Sequence, residues 1–267
     1  MEKAFIWRNS EINYITFGTG PQNLVCFHGY GQNCEVFRTF EPSLGSRFTI
    51  VSVDLPFQGK TNWREKEKLT GTMLCDLINS FLEHINARNK VSLMAYSIGG
   101  NYALGFATAF PQRIDEIWLL AADGLKPKPA FRFITQTALG RSLFANFVLY
   151  PSWVFYSLRI AQILGITNRR TTKFYYSTMD TQLKREALFN RWSSTARISV
   201  HPNTAIQVIN QHEISVKLIF GERDSVIPAK NARNFHKKMA ISKLVLLDKG
   251  HQLIVPETNK VIEELLG

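Results

Sequence analysis

Cysteine is scarce in this chain. Cys26, Cys34 and Cys75 are its three cysteines, they form no CxxC pair, and their number is odd. A disulfide framework is therefore not expected, and free thiols in a reducing, cytoplasmic compartment are the simpler reading. No run approaches about 18 uninterrupted apolar residues, which excludes a clear membrane-spanning helix. The opening residues, Met1 to Arg8, lack a long apolar stretch behind a basic start, so no secretory signal is expected. No HExxH and no Cys/His spacing of the zinc-binding kind occurs, and no metal is predicted. Neither GxGxxG nor a P-loop follows a strand-like run, so no nucleotide cofactor is implied. No nucleic-acid-binding module is recognisable, and no nucleic-acid partner is expected.

Acidic residues are scarce in one region. Residues 126–200 hold twelve Lys and Arg against two acids, Asp180 and Glu186. The whole chain of 267 residues has a net charge of +11, so nearly all of the excess lies in this stretch. It also carries 13 of the 32 Phe, Trp and Tyr residues. Such asymmetry marks a separate structural unit. The segment has no strand-like run and reads as several helices, broken at Pro151 and Gly165. A membrane hairpin over Leu143 to Ile166 is the lesser reading, since Asn146, Pro151, Ser152 and Arg159 interrupt it. Residues 126–200 are therefore read as a helical cap over one end of a core domain formed by 1–125 and 201–267.

The core has a different rhythm. Two short strands fall within 4–17, followed by the turn cluster Gly18 to Pro21. Apolar runs at Leu24 to Phe27, Phe48 to Val53, Val91 to Ala95, Ile114 to Ala121, Val216 to Phe220 and Lys243 to Leu247 read as buried strands. Helical spacing covers Thr70 to Ile85, with Thr70 or Thr72 as cap, then Ile98 to Phe110, 229–240 and 256–266. Short apolar strands alternating with helices predict an α/β fold, a mostly parallel sheet covered on both faces.

The chemistry collects at the ends of those strands. Ala95-Tyr96-Ser97-Ile98-Gly99-Gly100 joins a strand to a helix. A sharp turn there exposes a serine oxygen, provided that the residues two before and two after it are small, as Ala95 and Gly99 are. Asp224 follows the strand Val216 to Phe220, and His251 follows Lys243 to Leu247. All three groups leave the carboxyl edge of one sheet, where sites in open α/β sheets form. A serine hydroxyl needs a base, an imidazole serves near neutral pH, and a carboxylate fixes the imidazole tautomer. Ser97 is thus the candidate nucleophile, His251 the base and Asp224 the orienting acid, with Asp123 as the rival acid. His28-Gly29-Tyr30-Gly31 follows an earlier strand and would supply the Tyr30 backbone N–H to an oxyanion, with Ile98 N–H as second donor. Asp248 is read as a loop residue, and His84 and His236 as surface residues of helices.

These pieces, with Asp54-Leu55-Pro56-Phe57-Gln58-Gly59-Lys60-Thr61, Gly221-Glu222-Arg223-Asp224 and Gly250-His251, resemble the α/β-hydrolase superfamily over nearly the whole chain. The resemblance implies an eight-stranded sheet with a cap inserted after the sixth strand, and a triad at Ser97, Asp224 and His251. The Asp54 piece departs from the usual Asp-Leu-Pro-Gly-His-Gly-x-Ser at Phe57, Gln58 and Thr61. A serine at the elbow argues against the dehalogenases and epoxide hydrolases of that superfamily, which attack through a carboxylate. The expected activity is hydrolysis of a small-molecule ester, thioester or related acyl compound through an acyl-enzyme. The alternatives are a carbon–carbon bond hydrolase with the same triad and a catalytically silent binding protein on this fold. The basic cap is expected to favour anionic substrates or to associate weakly with an anionic membrane surface.

Overall fold

The computed structural model describes residues 2–65, 70–167 and 169–266. Eight strands form one sheet: β1 (Glu2–Trp7), β2 (Ser10–Phe17), β3 (Gln22–Phe27), β4 (Phe48–Val53), β5 (Val91–Tyr96), β6 (Ile114–Leu120), β7 (Ser215–Gly221) and β8 (Ser242–Leu247). Their spatial order is β1-β2-β4-β3-β5-β6-β7-β8. The β1/β2 and β2/β4 pairs are antiparallel, and every later pair is parallel. The helices are α1 (Glu41–Leu44), α2 (Gly71–His84), α3 (Gly99–Ala109), α4 (Pro129–Gln136), α5 (Ala138–Leu149), α6 (Ser152–Ile163), α7 (Arg169–Met179), α8 (Gln182–Ile198), α9 (Pro202–Gln211), α10 (Ala229–His236) and α11 (Thr258–Leu266).

Parallel strands buried on both faces need apolar residues at every position, and β5 is buried throughout. Its alternation sends Leu93 and Ala95 to one face and Met94 and Tyr96 to the other. The first face is covered by α2, α3, α9 and α10 through residues such as Leu77, Phe106, Ile209 and Phe235. The second is covered by a 3₁₀ segment at Cys34–Phe40 together with α1 and α11, through Phe37, Leu44 and Ile262. Thr70 caps α2 by accepting the Met73 N–H at 3.1 Å. The helix expected at 229–240 stops at His236, and that expected at 256–266 begins at Thr258. Helix α9 was not anticipated. Its signal is present nonetheless: His201 as N-cap, Pro202 in the first turn, and buried Ala205, Ile206 and Ile209 at helical spacing.

One charged pair lies inside the sheet. Lys217 on β7 bonds Glu116 on β6 at 2.5 Å and lies 4.1 Å from the centre of the Trp118 ring, while the Trp118 indole N–H donates to Glu116 at 2.9 Å.

The chain divides into two compact units. One comprises the residues up to Pro127 and those from Ile198 on; the other is the insertion after β6, Lys128–Arg197. Within the insertion, Phe144 meets Phe189 and Trp192 edge-on at 5.0 and 5.7 Å. Arg185 is buried and donates to Val148 O at 2.8 Å and to Met179 O at 2.9 Å, which satisfies carbonyls at the ends of α5 and α7. Leu143 to Ile166 spans two short helices, α5 and α6, with a break at Tyr150-Pro151. No helix among the described residues is long and apolar enough to cross a membrane.

Candidate active site

Ser97 sits between β5 and α3 with φ +52°, in the left-handed region that non-glycine residues rarely occupy. Backbone bonds hold it there: Ser97 N–H donates to Leu120 O at 3.1 Å, and Ser97 O accepts from Gly100 N–H at 3.0 Å and Asp123 N–H at 2.7 Å. Such a conformation costs about 1–3 kcal/mol and persists only where its surroundings enforce it. The two glycines that follow are required by contact. A Cβ on Gly99 would fall 2.1 Å from Phe27 O, and one on Gly100 would fall 2.3 Å from Asp123 O. The start of α3 is thereby pressed against the end of β3 and against His28 O, which the same Gly99 Cβ would meet at 2.8 Å, and Ile98 is the N-cap of α3.

His251 Nε2 lies 3.0 Å from Ser97 Oγ, and His251 Nδ1 lies 2.7 Å from Asp224 Oδ2. A proton on Nδ1, donated to the carboxylate, leaves Nε2 bare to accept the serine proton. The loops after β7 and β8 approach closely, since a Cβ on Gly221 would meet Gly250 O at 2.2 Å. The other Asp224 oxygen accepts the Val226 and Ile227 N–H groups at 2.8 and 2.9 Å. The Asp224 side chain is fully buried, while that of His251 is partly exposed. Burial opposes ionisation of Asp224, but the His251 bond, the Ile227 and Val226 amides and the imidazole charge outweigh it and hold the carboxyl below its usual range. Beneath the histidine, Tyr96 donates its hydroxyl to His251 O at 3.0 Å, with its ring 5.4 Å from the imidazole. Burial, and then the charge of Asp224, push the Tyr96 hydroxyl up and keep it a donor.

The His28–Gly31 loop is braced from two sides. His28 is completely buried. It donates Nδ1–H to Gly29 O at 2.8 Å and accepts Leu55 N–H on Nε2 at 3.1 Å. With both nitrogens so used, this histidine shapes the loop. Gln32 accepts the Gly29 N–H at 3.0 Å, and Gln58 accepts the Gly31 N–H at 2.8 Å. The Asp54 segment closes on its own carboxylate, which accepts from Cys34 N–H at 2.6 Å, Lys60 N–H at 2.7 Å and the Asn13 amide at 2.8 Å. Gln58 and Tyr96 were not singled out from the sequence. The only hint of Gln58 was its departure from the more usual histidine.

The remaining polar residues are placed as follows. Asp123 accepts the Gly124 N–H at 2.8 Å, whereas His251 Nδ1 meets Asp224. Asp248 pairs with Arg223 at 2.8 Å on the surface. His84 is exposed and bonds the Tyr14 hydroxyl at 3.0 Å; His236 is half-buried and bonds Ser242 at 2.7 Å. Among the described residues, no group of three or more His, Cys, Asp or Glu side chains could hold a metal ion.

The chain belongs to the α/β-hydrolase fold family, whose model, described as alpha/beta hydrolase fold, matches residues 22–257. It is 24% identical over 254 residues to YugF, an uncharacterized hydrolase of Bacillus subtilis, covering 92% of this chain and 88% of that one. It is 30% identical over 114 residues, 43% of this chain and 42% of the other, to a pimeloyl-[acyl-carrier protein] methyl ester esterase of Salmonella heidelberg. The structure of a meta-cleavage product hydrolase from Pseudomonas fluorescens superposes with a TM-score of 0.68 at 16% identity, over 99% of this chain and 97% of that one. At that identity the likeness is one of fold.

Proposed function

We propose that this protein is a serine hydrolase that cleaves a small-molecule ester or thioester through an acyl-enzyme. The observation that carries the reading is the continuous relay from Ser97 Oγ through His251, at 3.0 and 2.7 Å, to a buried Asp224 carboxylate. Ser97 Oγ attacks the acyl carbon while His251 Nε2 takes the hydroxyl proton, and Asp224 stabilises the imidazolium. The Tyr30 and Ile98 backbone N–H groups receive the negative charge that develops on the carbonyl oxygen, helped by the N-terminus of α3. Collapse of the tetrahedral adduct breaks the bond to the leaving group, which departs with the proton held by His251. Water then enters, gives a proton to His251 and attacks the acyl carbon. Release of the acid returns that proton to Ser97 Oγ. The esterase among the relatives supports an ester as substrate.

The test is labelling with a fluorophosphonate, followed by turnover of chromogenic esters of graded acyl length. The wild type takes up the probe and hydrolyses at least one ester, whereas Ser97→Ala does neither and melts like the wild type. Loss of a triad member costs on the order of ten-thousand-fold or more in rate. Equal labelling of Ser97→Ala, or ester turnover close to that of the wild type, would falsify the assignment. Labelling without turnover of any ester would instead favour cleavage of a carbon–carbon bond by the same groups.

A further inference from the structure

Helix α6 is rich in apolar residues around its circumference, yet none of its residues is buried. A helix of that kind belongs in a core or against a partner. One side, bearing Val154, Phe155 and Leu158, is half-covered, with Phe155 stacked on Tyr176 at 4.7 Å. The opposite side is open: Trp153, Tyr156, Ile160 and Ile163 are 48%, 68%, 41% and 76% exposed. Steps of three, four and three residues place all four on one stripe, and Leu149 and Tyr150, at the end of α5 and in the break before α6, are exposed as well. Single exposed apolar residues need no explanation, but a contiguous row of them marks an interaction surface.

Charge identifies the partner. The unit Lys128–Arg197 holds eleven Lys and Arg against two acids, so nine of the chain's +11 net charges lie there. Both acids have partners inside the unit: Asp180 pairs with Lys184 at 2.8 Å, and Glu186 accepts from Gln182 at 2.9 Å. Arg159, on α6 itself, is exposed. A second copy of the chain would bring the same cationic excess to the interface and be repelled. An anionic surface complements it.

We propose that this face of the inserted unit docks on an anionic phospholipid bilayer. Helix α6 lies in the plane of the interface, with Ile160 and Ile163 in the upper acyl region. Trp153 and Tyr156 sit at headgroup level, and Arg159 meets lipid phosphate. Its 12 residues reach about 18 Å, well short of the roughly 30 Å hydrocarbon core, so the helix rests on the membrane and does not span it. The inference does not depend on the chemistry at Ser97.

The full chain is tested by co-sedimentation with vesicles of phosphatidylcholine alone and of phosphatidylcholine mixed with phosphatidylserine, at low and high salt. Retention on the anionic vesicles at low salt and release by salt are expected. Ile160→Asp with Ile163→Asp lowers the partition coefficient by about ten-fold or more. Arg159→Gln lowers it by about five-fold. Both sites face solvent, so circular dichroism and thermal melting of the variants should match the wild type. The proposal is overturned if anionic vesicles retain nothing, or if the substitutions leave retention unchanged. It is also overturned if sedimentation velocity shows a dimer of this chain that the same substitutions dissociate.

Discussion

The side-chain oxygen of Gln58 accepts the backbone N–H of Gly31 at 2.8 Å, and Gln58 is only 3% exposed. Gly31 has φ +73° and follows Tyr30 directly. The bond ties the candidate oxyanion loop to the Asp54 loop at one point, and the Leu55 N–H to His28 bond ties it at another. Peptide planes are rigid, so fixing the Gly31 amide limits the rotation open to the Tyr30 amide beside it.

Gln58→Met keeps the volume and removes the acceptor. Loss of a direct oxyanion donor costs about 100-fold or more in kcat. A residue that only positions the donor should cost less, about ten-fold, with KM nearly unchanged. Steady-state kinetics on an ester substrate reads the split. A rise in KM at constant kcat would assign Gln58 to substrate binding.

Asp224 supplies a test by pH. Its carboxyl is held below the usual range by the His251 bond and two backbone amides, against the opposing effect of burial. The folded state therefore binds the proton less readily than the unfolded chain, and the stabilisation is complete above the unfolded value, near pH 3.9. It is lost as pH falls through the folded value. Urea melts of wild type and Asp224→Asn between about pH 5 and pH 2, where free imidazoles are already protonated, should show the wild-type advantage shrinking toward acid. An advantage that grows toward acid would contradict the depressed carboxyl. Activity at neutral pH should fall on the order of ten-thousand-fold in the same variant.

The pair Glu116 and Lys217 tests a buried charge away from the candidate active site. Lys217→Met leaves the Glu116 charge stranded and should cost about 3–5 kcal/mol. Glu116→Gln with Lys217→Met removes both charges and keeps an oxygen for the Trp118 indole. The double variant should regain more than half of that loss in urea denaturation. Additive losses would mean that the charges do not interact.

The sheet and the Ser97 elbow were legible because their signals are local. A buried parallel strand is a continuous apolar run, and a serine flanked by the small Ala95 and Gly99 at a strand-to-helix junction fits the sharp turn that exposes its oxygen. Asp224 and His251 were legible through the same strand-end rule. Lys217 inside β7 could not be assigned a partner, because Glu116 lies 101 residues away and only the β6/β7 register unites them. In the sequence Gln58 stands out only as a departure from the usual Asp-Leu-Pro-Gly-His-Gly-x-Ser pattern. Its bond to Gly31 depends on how two loops fold against each other, which no periodicity records. Helix α9 was overlooked although its cap and apolar spacing were present. Within the insertion, the sequence shows the aromatic wealth but not which rings are inward, since α6 carries apolar residues around its circumference.

The proposed triad draws on strands of unequal security. β5, which leads to Ser97, lies between two strands and is buried at every residue, whereas β8, which leads to His251, is the last strand of the sheet and is at best half-buried along its length. Edge elements open locally before a domain unfolds as a whole. Fraying of β8 would carry His251 away from a Ser97 that stays in place. Loss of turnover would then precede loss of structure, as a reversible dormancy in which the protein is still folded.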